Sequence, residues 1–319
     1  MAVYTHLSDS DIDTLLRSQY QRRLLSANAI DAGTENTNYR VTTQTLDDER
    51  REKFVLTVFE HTSQHELTPI IALTHTLANA GIAVPSCITT LDDARFVTAL
   101  DKPAVMTPFA QGEHPERPSI AQCEAVSRAL AAIHLTPFDG RLVAYDPVAK
   151  VEQLAIQLKS TLSDDDNALI QHELTHCADI KHALRSLPSG VLHTDLFTDN
   201  ALFTGESLSA LLDFYSAARG VFLFDLAVLI NDWCVEVTDS TTHAVTHHLD
   251  KQAAVLSAYQ QIRLLSNDER TLLPSALRLM ACRFWLSRHA LLQQHGHVPD
   301  SKSPEAFKQR LLLHLATHA

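Results

Sequence analysis

Glycine is scarce in this chain, with eight in 319 residues. So few glycines leave little room for loops whose backbone wraps a phosphate, because close backbone approach favours a residue without a side chain. Cysteine is sparse as well. Cys87, Cys123, Cys177, Cys234 and Cys282 are odd in number, far apart and contain no Cys-x-x-Cys pair. That pattern argues against a disulfide framework and for buried free thiols in a reducing cytoplasm. Long hydrophobic runs are missing: the longest, residues 221–230, is interrupted by Asp225 and is too short to cross a bilayer. The opening Met-Ala-Val-Tyr-Thr-His has no basic start leading into an apolar segment, so no export is expected. Positive charge is outnumbered 38 to 26, giving −12 at pH 7. A surface of that sign has no general attraction for nucleic acid or anionic membrane.

What is present is a chain that is 45% hydrophobic, enough for one large core or two modest ones. Eighteen histidines are spread along it. His172 and His176 stand one helical turn apart, a spacing that suits zinc, but no HExxH glutamate or third ligand is near, and an exposed helix face explains them better. Residues 39–43, 54–59, 95–100 and 104–108 read as strands. One helix interrupts them, capped by Thr68 with Pro69 in its first turn and ended by Gly81. Beyond the Pro-rich stretch 111–118 the pattern turns helical. Ser119 and Gln122 form a capping box, and helical patterns fill 151–162, 168–187, 247–264, 268–295 and 304–318. The expected architecture is α+β and bilobal. A small β-rich N-terminal lobe covers residues 1–109 and ends in a hinge, a mostly helical lobe covers 110–319, and a ligand cleft is expected between them.

The chemistry concentrates in residues 191–214, where a β-like stretch is embedded among helices. His193-Thr-Asp195-Leu-Phe-Thr-Asp-Asn200 matches the kinase catalytic loop H-x-D-L-x-x-x-N. Phosphoryl transfer to a hydroxyl needs a carboxylate that orients the nucleophile and accepts its proton, together with metal ligands at the nucleotide phosphates. Asp195 fits the base and Asn200 a magnesium ligand. Strand-like residues 201–203 and 208–212, joined by Thr-Gly-Glu-Ser, predict a hairpin that returns Asp213 beside Asn200 as a second oxygen ligand. A buried core histidine, with acids that merely cap turns, would leave the same triplet. The ordered series of β-lobe, hinge, loop, hairpin and second aspartate favours the kinase.

Weaker elements support it. Residues 30–41 would be the nucleotide-covering loop, with Gly33, Asn36 and Asn38 as candidate contacts, although one glycine cradles phosphate poorly. Residues 106–112 suit a hinge whose backbone holds adenine, with Met106 and Phe109 at its start; an ordinary linker would read the same way. Val55 and Thr57 share one face of the third strand. Val55 would line the adenine pocket, and Thr57 would stand where kinases carry their phosphate-pairing lysine. Lys53 lies two pleats from Thr57. Arg40, His61 and His65 are other candidates for the missing charge.

This order of motifs resembles the superfamily of aminoglycoside phosphotransferases and choline kinases, and most closely its homoserine kinase branch, which is unrelated to the galactokinase-like enzymes. The resemblance rests on Met1–Thr5, on the Glu35-Asn36-x-Asn38-Tyr39 loop, on 193–200 and on Leu212-Asp-Phe-Tyr215. Asp225-Leu-Ala227, Asn231-Asp-Trp-Cys234 and Arg283-Phe-Trp-Leu-Ser-Arg288 extend it over nearly the whole chain. It implies ATP and Mg2+ as cofactors, His193 and Asp195 in the catalytic loop, and L-homoserine as the small-molecule acceptor in threonine biosynthesis. An amino-acid acceptor presents a carboxylate and an ammonium, which call for a guanidinium and an acid or amide. Arg283, Arg288, Glu35, Tyr215 and Trp233 are candidates; for either arginine, an ion pair with a neighbouring helix is the competing expectation. A kinase for another hydroxyl substrate (aminoglycoside, choline or sugar) and a non-catalytic nucleotide-binding regulator remain the alternatives.

Overall fold

The computed structural model describes residues 4–30, 36–239, 243–296, 298 and 303–317. The chain divides into two compact units. The first runs to Gly112 and takes in Phe138–Arg141 and Ser209–Tyr215; the second holds Glu113–Pro137, Leu142–Leu208 and the chain from Ser216 onward.

The first unit opens with α1 (Asp9–Tyr20), started by a capping box in which Ser8 Oγ accepts from the Asp11 amide and Asp11 accepts from the Ser8 amide. Five antiparallel strands follow: β1 (Arg22–Ile30), β2 (Thr37–Thr45), β3 (Arg51–Val58), β4 (Val97–Ala99) and β5 (Lys102–Pro108), in the order β1-β2-β3-β5-β4. The apolar side of α1 (Ile12, Leu16, Tyr20) shares a core with Tyr39, Val41, Phe54, Leu56 and Met106. The helix inserted between β3 and β4 is α2 (Gln64–Asn79). It starts five residues earlier than its sequence suggests, because Ser63 and Glu66 form a reciprocal capping box and Pro69 falls inside the helix. Thr68, the expected cap, instead returns its hydroxyl to the Gln64 carbonyl at 2.8 Å.

The second unit is helical: α3 (Ile120–Leu135), α4 (Pro147–Leu158), α5 (Asp164–Arg185), α6 (Phe222–Trp233), α7 (Leu249–Ile262), α8 (Asn267–His295) and α9 (Pro304–Thr317). The Ser119–Gln122 capping box opens α3 as expected. The apolar run that is too short for a membrane becomes α6, buried on every side from Phe222 to Asn231 and packed on α3 and α8. Among the described residues no helix is long and apolar enough to cross a membrane. Six short strands complete the chain: β6 (Ser189–Leu192), β7 (Ala201–Thr204), β8 (Ser207–Leu211, whose residues from Ser209 on belong to the first unit), β9 (Ala218–Val221), β10 (Val235–Asp239) and β11 (Ala244–His247); β6, β9 and β10 pack on α6. They pair as β6-β9, β7-β8 and β10-β11. All five cysteines are free and buried.

Candidate active site

The loop from His193 to Asn200 connects β6 to β7 in the second unit. Its backbone is held from below by α6. Asp225 takes the amide of His193 on Oδ2 at 2.6 Å and that of Thr194 on Oδ1 at 2.7 Å. This double grip holds Thr194 at φ +71°, a left-handed conformation that a threonine adopts only at a cost of order 1–3 kcal/mol. Further along α6, Trp233 Nε1 donates to the Leu196 carbonyl at 3.0 Å, and Asp232 Oδ2 accepts the Thr198 amide at 2.8 Å. Four amide or carbonyl groups of one loop therefore end on a single buried helix.

Asp225 has its own support. His134 Nε2 lies 3.2 Å from Asp225 Oδ2, and Tyr259 Oη lies 2.6 Å from His134 Nδ1. A carboxylate only accepts, so the His134 proton sits on Nε2 and Nδ1 receives the Tyr259 hydroxyl. Burial pushes the His134 pKa below its ordinary value despite the neighbouring carboxylate, which keeps the ring neutral. Arg263 Nη1 donates to Tyr259 Oη at 3.3 Å and Nη2 to Glu269 at 2.8 Å.

On this scaffold His193 is fully buried, and its Nδ1 accepts the Asp195 amide at 3.3 Å. Asp195 is half-buried. Asn200 Nδ2 donates to the Asp195 carbonyl at 2.7 Å and to its Oδ2 at 3.2 Å. The loop thus presents one carboxylate, restrained by an amide whose own Oδ1 stays available as an oxygen donor.

In the first unit, Asn38 and Thr57 face each other across β2 and β3, and Thr57 Oγ1 donates to Asn38 Oδ1 at 2.7 Å. Thr57 is buried, whereas Val55 is half-buried and Lys53 exposed. The Tyr215 hydroxyl also bonds Thr57, its ring meets Phe59 edge-on at 4.9 Å, and burial with the nearby Asp213 charge pushes its pKa up. Asp213 is exposed, at φ +58°. Met106 is fully buried, with its carbonyl taken by the Ile88 amide at 2.9 Å. Phe109 donates its amide to Lys53 O at 3.0 Å, and Arg40 lies over its ring at 6.0 Å. Asn36 is half-buried, and its carbonyl is 3.4 Å from Asn38 Nδ2. Arg40, His61 and His65 are exposed. Gly33 and Glu35 lie outside the described residues.

Two stretches that carry the resemblance meet here. Tyr39 Oη accepts the Leu7 amide at 2.9 Å and donates to Thr5 O at 2.8 Å, while Thr37 Oγ1 accepts the amides of Tyr4 and Thr5 at 3.0 and 3.1 Å. Glu60, anchored by Lys102, Thr5 and Thr37, completes the knot. Burial pushes its carboxyl up, but these donors outweigh it and hold the pKa below the usual range.

The two candidate arginines have different surroundings. Arg283 lies over the rings of Phe284 at 4.1 Å and Tyr145 at 5.9 Å. Arg288 lines a cleft of the second unit together with Phe197, Asp232 and Trp233. Trp233 is 1% exposed. His172 pairs with Glu173 at 3.1 Å and His176 with Ser275 at 3.0 Å. Among the described residues no cluster of three His, Cys, Asp or Glu could hold a metal. Asp225, Asp232, His134 and Tyr259 belong to no motif that marks them in the sequence as part of the site. The available signal was Asp225 itself, a charge inside an otherwise apolar helix that has to find buried donors.

The phosphotransferase enzyme family matches residues 26–265. A homoserine kinase of Neisseria meningitidis serogroup B is 33% identical over 318 residues, covering 98% of this chain and 99% of that protein. A homoserine kinase of Mesorhizobium japonicum is 31% identical, with coverage of 99% and 97%. Among solved structures, an amicoumacin kinase in complex with AMP-PNP and Ca2+ superposes with a TM-score of 0.71 at 14% identity, covering 98% of this chain and 94% of that one. A spectinomycin phosphotransferase in complex with ADP and spectinomycin gives 0.65 at 14%, covering 98% and 99%. The bilobal α+β kinase-like fold expected from the sequence is the fold of this chain. The chain belongs to the phosphotransferase enzyme family, and within it to the homoserine kinases.

Proposed function

We propose that the chain is an ATP-dependent homoserine kinase, transferring the γ-phosphoryl group of ATP to the side-chain hydroxyl of L-homoserine in threonine biosynthesis. The observation that carries this reading is end-to-end similarity to homoserine kinases at 31–34% identity. The restrained carboxylate of Asp195 supports it.

Asp195 orients the acceptor hydroxyl and receives its proton as the hydroxyl oxygen bonds to the γ-phosphorus and the bond to the β-phosphate oxygen breaks. His193 keeps the loop in shape from beneath. Asn200 Oδ1 and the Asp213 carboxylate are hard oxygen donors of the kind magnesium takes. Mg2+, bound with the nucleotide, supplies neutralisation of phosphate charge. Asn36, Asn38, Val55, Thr57, Met106 and Phe109, with Gly33, are the proposed nucleotide contacts. With no lysine at Thr57, the phosphates rely on the metal, on backbone amides or on another cation.

A coupled ADP-release assay over homoserine, serine, choline, kanamycin and simple sugars tests the assignment. Homoserine is expected to give the highest kcat/KM. A clear preference for another member would replace the substrate while leaving the kinase in place. ATP binding without turnover of any acceptor would favour a nucleotide-binding regulator.

A further inference from the structure

The cleft in the second unit has a volume of about 400 Å3 and begins at the catalytic loop: Phe197 and Thr198 form one wall, Asp232 lies at the end of α6, Arg288 on α8, and Phe307 and Arg310 on α9. Two charges in it lack full partners. Arg288 is half-buried, makes no ion pair among the described residues, and its Nε has no hydrogen-bond partner. Its guanidinium instead lies near two rings, 5.9 Å from the centre of Phe197 and 5.8 Å from that of Phe307. The carboxylates of Asp195, Asp199 and Asp232 act on it only through space, none within ion-pair distance, and a half-buried guanidinium without a contacting anion is costly unless a ligand supplies one.

Asp232 is the complementary case. Among the described residues its carboxyl is engaged by Thr198 alone, through the amide to Oδ2 and through the hydroxyl, while the nearest cation to Oδ1, Arg310 Nη2, stands at 3.9 Å, too long for a hydrogen bond. Arg310 cannot swing closer without breaking its bonds to the Asn231 carbonyl at 2.7 Å and the Ala306 carbonyl at 2.9 Å. Burial pushes the Asp232 carboxyl above its ordinary range, with Arg310 and Thr198 only tempering the effect. Glu236, at the same cleft, is already paired with Arg117 and His248, both at 3.1 Å.

An under-paired guanidinium and an under-paired carboxylate, with phenylalanine rings beside them, are the negative image of an amino acid that has a short apolar stem. We infer that this cleft is the acceptor subsite, with Arg288 taking the α-carboxylate and Asp232 the α-ammonium while the hydroxyl end reaches Asp195. This rests on the functional reading above and deepens it, because it explains why a zwitterion would be chosen over a polycation or a sugar. Arg288 is preferred to Lys251, which also lines the cleft, because a planar guanidinium between rings is already oriented for a bidentate carboxylate.

Because Asp232 also holds the loop through Thr198, the test separates recognition from support. Full-length wild type, Arg288→Gln, Asp232→Asn and Lys251→Gln are assayed by ADP release with L-homoserine, 4-hydroxybutyrate (no ammonium) and 3-amino-1-propanol (no carboxylate). Losing one charge-assisted contact is expected to raise the homoserine KM about 10–100-fold in the first two variants. The KM for ATP and the melting temperature should stay near wild type, and Lys251→Gln should change little. The preference for homoserine over 3-amino-1-propanol should shrink at least tenfold in Arg288→Gln, and that over 4-hydroxybutyrate at least tenfold in Asp232→Asn. A truncated acceptor too poor for turnover is compared by its inhibition constant against homoserine. A homoserine KM within threefold of wild type in both variants overturns the inference, as does an equal loss for all acceptors, the mark of a structural role. Wild type that ignores homoserine but phosphorylates an acceptor without a zwitterion sinks the functional reading first.

Discussion

A carboxylate that takes a proton from an alcohol must be held still without being neutralised. Asp195 meets this condition because its contacts with Asn200 come from a neutral amide, at 2.7 Å to the carbonyl and 3.2 Å to Oδ2. Asp195→Asn keeps the shape and removes the basicity. Turnover should fall about 10²–10⁴-fold, the size of a positioned base, while MgATP affinity measured by calorimetry persists. Near-normal turnover in the folded variant would remove Asp195 from that role. Asp213→Ala should abolish magnesium-dependent nucleotide binding, and unchanged MgATP affinity would contradict its assignment. Thr57 is a different kind of residue. It offers one neutral hydroxyl, already shared between Asn38 and Tyr215, so Thr57→Ala should cost about 1 kcal/mol in ATP binding. The exposed Lys53 should tolerate alanine. A collapse of activity with Lys53→Ala alone would make Lys53 the missing phosphate cation.

At the scale of elements, α6 holds the candidate catalytic loop, and it is the hardest helix to see in the sequence. Its residues 222–231 are buried all round, so they show no 3.6-residue alternation, and a continuous apolar run reads equally as strand or helix. The elements α1 and β1 are faint in the sequence for the opposite reason: α1 buries only Ile12, Leu16 and Tyr20, and β1, at the sheet edge, buries none of its residues. Local signals fared better. The Ser119–Gln122 box and the His193–Asn200 loop are written within a few consecutive residues, whereas Asp225 and Trp233 reach that loop from 32 and 37 positions away. No spacing rule in one sequence announces such a pairing. The start of α2 differs from the expected one because Thr68-Pro69 is itself a good helix opening, and the Ser63–Glu66 box binds two orphan amides ahead of it. The importance of α6 can be measured at Asp225. Replacing it with alanine leaves two buried amides without an acceptor, a loss of about 1–3 kcal/mol for each. Asp225→Ala should therefore lower both the melting temperature and kcat, with a smaller change in the KM for ATP. Full activity in that variant would show that the loop holds its φ +71° turn without help.

Over the whole molecule, the helical unit stores a pH sensitivity that does not depend on the reaction. Burial lowers the pKa of four of its histidines, His134, His176, His247 and His289, below their ordinary 6.5. In the unfolded chain these rings begin to take protons as the pH falls through 6.5, while in the folded chain they resist. The unfolded state then binds more protons, so stability must fall as the pH falls in that window and level off once the folded rings also protonate. Several carboxylates work in the same direction but lower on the scale. Asp13, Glu60 and Asp146 are held below their ordinary 3.8–4.5, so what they contribute is lost only under more acid conditions. The two regimes therefore separate, and between pH 6.5 and 5 the histidines set the decline, opposed only by acids such as Asp232 whose folded carboxyl is pushed up. The urea midpoint should be nearly level above pH 7 and decline steadily below 6.5. His134 sits deepest, hydrogen-bonded to Asp225 and Tyr259, and should account for a visible share of the slope. His134→Gln is expected to start from a lower midpoint but to decline less between pH 7 and 5.5. A wild-type midpoint that does not move across that interval, or a variant that declines as steeply as wild type, would show that the buried rings do not govern acid stability.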